Sequence, residues 1–101
     1  MYALLLLFAL GPGMRSTAEK LGNQFSPVHR AAKGFKAETL LVDDTTGEYG
    51  SLTLWESKED IEAFRKAAAP HLQKALSGIA KGPPTSRCLK FTNRESNYEV
   101  N

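Results

Sequence analysis

Residues Tyr2 to Leu10 read YALLLLFAL, and this unbroken apolar run constrains the chain more than any other segment. Nine residues fall well short of the roughly 20 that a membrane-spanning helix needs. No Lys or Arg precedes the run to form the basic n-region of a secretory signal, so it does not read as one. Gly11-Pro12-Gly13 ends it abruptly, as a turn would. The remaining reading is a buried β-strand. Its difficulty is that both faces are apolar, with Tyr2, Leu4, Leu6, Phe8 and Leu10 on one and Ala3, Leu5, Leu7 and Ala9 on the other. A sheet with helices on one side is expected to alternate, because its other face meets water. Here that second face needs a cover, and a second copy of the same sheet in a two-fold dimer is the expected one.

The rest of the chain changes period several times. Met14, Ala18, Leu21, Phe25, Val28 and Ala32 recur at spacings of three and four, which is one face of a helix. Pro27 lies inside that helix and predicts a kink or split near Gln24 to Ser26, with Gly34 as the C-cap. Phe35 to Val42 and Tyr49 to Glu56 read as two strands, joined as a hairpin through Asp43-Asp44-Thr45-Thr46-Gly47-Glu48. Ser57-Lys58-Glu59-Asp60 is a capping box that opens a second helix. Ile61, Phe64, Ala68, His71 or Leu72, Ala75 and Ile79 lie along one side of it. Pro70 predicts a break in this helix too, and Gly82-Pro83-Pro84 stops it. Arg87 to Thr92 is a short last strand. The domain spans residues 1–94, and residues 95–101 form a polar tail.

The order β-α-β-β-α-β in 101 residues predicts an α+β, ferredoxin-like domain. Four antiparallel strands in the order 4-1-3-2 would carry both helices on one face, and the sheet-to-sheet dimer would make a dimeric α/β barrel. A net charge of +2 gives no electrostatic case for nucleic acid or an acidic membrane. The strand Glu48 to Trp55 also lacks the Lys/Arg-Gly-aromatic consensus of the RNA-recognition module that shares this order. The single Cys88 excludes an internal disulfide and suits the cytoplasm. Two histidines with no acidic residue at ligand spacing predict no metal site.

Gly34-Phe35, the turn Asp43 to Gly47, and the run Leu52-Thr53-Leu54-Trp55-Glu56-Ser57-Lys58-Glu59-Asp60 with Ile61 and Phe64 resemble the antibiotic biosynthesis monooxygenase family. The likeness covers roughly Tyr2 to Arg94 by order of elements, and its residues carry fold more than activity. It implies oxidation of quinols or anthrones by dioxygen with no flavin or metal cofactor, the deprotonated substrate supplying the electrons. The protein's share would be a dry pocket between sheet and helices, a proton acceptor and a few orienting groups. A haem-degrading branch of the superfamily is similar through the Trp-x-Ser turn. Its second Trp and haem-ligating His would fall on Phe64 and Lys74, and its first-strand Asn has no counterpart in Tyr2–Leu10. Those departures argue against haem chemistry.

Within such a pocket the expected base is His71, placed beside Phe64 and Ala68 on the second helix. Trp55 and Tyr49 share a strand face and could each orient a ligand through N–H or O–H. Phe64 and His29 complete the candidate substrate contacts, although Arg30 and Lys33 suggest solvent around His29. Arg15 reads as a solvated helix arginine. The expected function is thus cofactor-independent monooxygenation of a small aromatic. The alternative is a non-catalytic dimeric barrel that binds a small hydrophobic molecule. Two or more polar groups converging in a closed pocket would favour the enzyme.

Overall fold

The computed structural model describes residues 1–90, which form β1 (Tyr2–Ala9), α1 (Arg15–Ala31), β2 (Phe35–Asp43), β3 (Glu48–Trp55), α2 (Lys58–Leu76) and β4 (Thr85–Lys90). The strands make one antiparallel sheet in the order β2-β3-β1-β4, so the ferredoxin-like α+β arrangement is present and β1 and β3 are its central strands. The last strand starts two residues earlier than its apolar content suggests. Phe91 and Thr92, the boundary at residue 94 and the polar tail all lie outside the described residues.

Register fixes which side chains meet the helices. Tyr2 pairs with Trp55, Leu4 with Thr53, Leu6 with Ser51 and Phe8 with Tyr49, and these eight residues share the helix-facing side. Leu5, Leu7, Leu52 and Leu54 occupy the opposite face with Ala3 and Ala9, and all are partly or fully shielded within the sheet itself. In β2 the register slips between Phe35 and Ala37, so that two residues stand opposite Trp55. This β-bulge brings Phe35 and Glu38, three positions apart, onto the same helix-facing side.

Gly47 closes the hairpin at φ +79°, where its N–H donates to Asp43 O at 2.8 Å. Its own carbonyl accepts from Leu10 N and Gly11 N, and a Cβ there would collide with Gly11. Only glycine fits both the backbone angle and the contact. Ser57 Oγ accepts from Asp60 N at 3.1 Å, so the predicted N-cap of α2 is formed.

The two predicted helix breaks do not occur. Pro27 and Pro70 lie inside continuous helices, and both face solvent. Each removes one N–H, which frees the carbonyl four residues earlier, on Asn23 and on Lys66. Those residues are exposed as well, so water can take the lost bond and the helix continues. Gly34, at φ +86°, sits beyond the C-cap residue Ala32 and serves the turn into β2.

Candidate functional site

Two apolar clusters fill the layer between sheet and helices. One gathers Phe8, Leu10, Leu21, Tyr49 and Leu76, and the other gathers Leu4, Trp55 and Ile61 with Phe35 and Phe64 against them. Between them the packing opens into two adjoining cavities of about 80 Å³ and 370 Å³. Leu6, His29, Ser51, Phe64, Ala68 and Leu72 belong to the walls of both. The smaller chamber extends under α1 toward the edge strand β2, and the larger one opens between α2 and β4.

His29 stands where the two chambers meet. It is 7% exposed, and its ring stacks on Phe64 with centroids 4.8 Å apart. Its Nδ1 is fully buried and lies 3.3 Å from Glu38 Oε2, close but not aligned as a hydrogen bond. The other Glu38 oxygen, Oε1, accepts from Ser26 Oγ at 2.8 Å. Burial holds the His29 pKa below its ordinary value, opposed by the charge of Glu38 and by the Phe25 carbonyl. The imidazole is therefore neutral and free to take a proton near pH 7. The carboxylate beside it would stabilise the imidazolium that results.

Tyr49 supplies a second polar group. It is 1% exposed and lines the smaller chamber, yet its buried hydroxyl has no hydrogen-bond partner. An unspent buried donor is unfavourable, and a ligand acceptor would relieve it. A neutral imidazole backed by a carboxylate, a free phenolic donor and mostly apolar walls together suit deprotonation of a weakly acidic aromatic.

No protein-family profile matches the sequence, and no curated protein is detectably similar to it in sequence. Solved structures are more informative. A monooxygenase of Streptomyces coelicolor, from the gene ActVA-Orf6 and in complex with nanaomycin D, superposes with a TM-score of 0.73 at 20% identity, over 95% of this chain and 91% of its own. SnoaB (N63A mutant), a cofactor-independent oxygenase from Streptomyces nogalater, gives 0.71 at 18% identity, over 97% of both chains. The R26S mutant of MhuD, with two manganese protoporphyrin IX per active site, gives 0.73 at 17%, over 96% of this chain and 100% of its own. The chain has the fold of the antibiotic biosynthesis monooxygenases. At these identities the fold alone is what is shared, and the porphyrin-bound neighbour has it too, so the chemistry rests on this chain's own residues.

On this fold the sequence-based candidates separate. His29, Tyr49 and Phe64 come together on the cavity walls. Trp55 does not reach either cavity. It is wholly buried behind Phe64, with ring centroids 5.0 Å apart, and its Nε1 donates to Thr53 Oγ1 at 2.8 Å. His71 is exposed and lines neither chamber. At 100° per residue it lies about 80° round the helix from Ile61, whereas Leu72 lies only about 20° away and takes the inward place. The reverse holds on α1, where Val28 is 46% exposed and His29 turns in. The expectation of a solvated His29 is therefore corrected: the flanking Arg30 and Lys33 are exposed, but the helix face between Phe25 and Ala32 carries the imidazole inward. Arg15 is exposed and paired with Glu19 and Asp44, each at 3.1 Å.

Sequence reasoning missed Glu38, Ser26 and Ser51. Glu38 was detectable in principle, since it has the same strand parity as Leu40 and Val42. Counting alternation forward from Phe35 instead places it outward, and the bulge is the reason that count fails. Among the described residues, no three His, Cys, Asp or Glu side chains cluster as a metal site, and no helix is long and apolar enough to cross a membrane.

Proposed function

We propose that this chain is a cofactor-independent monooxygenase of a small quinol- or anthrone-like aromatic, with His29 as its base. The observation that carries the reading is the buried His29–Glu38 pair at the junction of the two chambers. The substrate ring lies against Phe64, Leu6 and Leu72, and the Tyr49 hydroxyl donates to a substrate oxygen. With Nδ1 turned to Glu38, Nε2 of His29 accepts the phenolic proton. The resulting carbanion-like ring reduces dioxygen. One oxygen atom enters the substrate as a carbonyl and the other leaves as water, so an anthrone methylene and O2 give a quinone carbonyl and H2O. The mostly apolar walls keep bulk water from the anion.

The base assigned to His71 from sequence is thereby moved to His29. Tyr49 and Phe64 keep contact roles, and Trp55 supports Phe64 from behind. The second copy belongs to this proposal too. The sheet face of Leu5, Leu7, Leu52 and Leu54 is covered by the same face of a partner, which gives the dimeric barrel; a monomeric mass by light scattering at micromolar concentration removes that part.

The activity is tested by anthrone turnover, followed as quinone absorbance and oxygen uptake. His29→Ala lowers kcat by at least about 100-fold, in line with loss of a general base. Turnover unchanged in His29→Ala rejects the base, and His71→Ala serves as the comparison. Binding without turnover by the wild-type protein would favour the non-catalytic barrel.

A further inference from the structure

The two chambers differ in charge as well as in size. Glu38 and Glu19 line the smaller one, which has no Lys or Arg in its wall. The larger one contains Arg65, the only Lys or Arg lining either cavity among the described residues. Arg65 rises from α2 at the rim, where its Nη2 donates to Ser86 Oγ at 3.0 Å across the gap to β4. This bond sets the guanidinium over the mouth. Its other contact, Nη1 to Glu62 Oε2 at 3.5 Å, is a solvent-exposed i,i+3 pair of the kind worth little. Ser86 adds a polar group at the same end and Gln73 another elsewhere in the wall, while Phe64, Ala68 and Leu72 line the chamber together with His29.

We propose that the substrate is an aromatic acid, held with its carboxylate at Arg65 in the mouth between α2 and β4 and its rings directed inward to His29. The inference rests on the aromatic-pocket reading above and adds the polarity of the ligand. Charge alone sets the direction. A carboxylate placed in the smaller chamber would meet Glu38 and Glu19, and at the mouth it meets a planar donor fork that matches its geometry. The size of the larger chamber falls within the usual range for small-molecule sites, about 300–1,000 Å³.

Calorimetric titration of the full chain with 2-naphthoate and with its neutral counterpart 2-naphthalenemethanol tests the assignment. Wild-type protein binds the acid about tenfold more tightly, as one partly exposed charge-assisted contact provides. Arg65→Gln removes that preference and leaves the alcohol's Kd within about twofold. That constancy excludes a merely structural effect of the substitution. Raising the salt concentration weakens the acid only. Equal binding of both probes to wild type, or an equal loss of both in Arg65→Gln, overturns the acid while the aromatic pocket stands. Failure of both probes to bind at millimolar concentration overturns the acid and the pocket reading together.

Discussion

Tyr49 and Trp55 stand six residues apart on the same face of the same strand, and neither is more than 1% exposed. Trp55 has used its polar group. Its N–H donates to Thr53, whose hydroxyl in turn donates to Leu4 O at 3.4 Å, so the polar atoms of both side chains are paired within the protein. Tyr49 has not, and a cavity runs past its ring. Burial is equal in the two cases and so cannot distinguish core from site. An unspent hydrogen bond beside empty space can.

Four substitutions or conditions would break or sharpen this contrast. The largest effect is expected for Trp55→Ala, which removes a buried indole from between Phe35 and Phe64 and should cost about 3–5 kcal/mol in urea unfolding. A loss below about 1 kcal/mol would mean that this end is no better packed than the other. Thr53→Val keeps the shape but strands the Trp55 N–H, with an expected cost of about 1–3 kcal/mol. If it proves neutral, the pairing that separates the two ends has no energetic content.

The third effect depends on pH. His29 has its pKa held below the ordinary value near 6.5, chiefly by burial, so below that pH the unfolded chain binds more protons than the folded one. The stability that follows is complete above about pH 6.5 and is lost as pH falls through that value toward the folded pKa. The wild-type urea midpoint should therefore drop between pH 7.5 and pH 5 more than that of His29→Gln; parallel curves would remove His29 from the buried set. Smallest is Tyr49→Phe, which deletes the unpartnered hydroxyl. Stability should stay level or rise by less than about 1 kcal/mol, while turnover of the aromatic substrate falls. A clear destabilisation would show that the hydroxyl is already paired.

The order of elements, the strand order and the central place of β1 and β3 were legible because apolar runs, turn residues and the Ser57 cap all point the same way. The site was less legible. A spacing of three or four selects a helix face only to within one residue, and that margin separates Val28 from His29 and His71 from Leu72. On α1 the polarity of the side chains misled, since the imidazole goes in and the valine stays out, whereas on α2 polarity was the better guide, since the leucine goes in. Proline content overstated the helix breaks, because the cost of a missing N–H depends on whether water can reach the freed carbonyl. Tyr49 was legible as a residue on the Trp55 face, but its free hydroxyl is a property of packing and has no signature in the sequence.

The bulge at the start of β2 has a practical consequence for tracing the ancestry of this site. It puts one more residue on β2 than β3 has opposite it, so position counting through Lys36 is out of step by one. A homologue with a regular strand must be aligned with a single-residue gap at that point. Without the gap, Glu38 is matched to an outward-facing neighbour, and the carboxylate at the His29 site will look absent from chains that have it, or present in chains that do not.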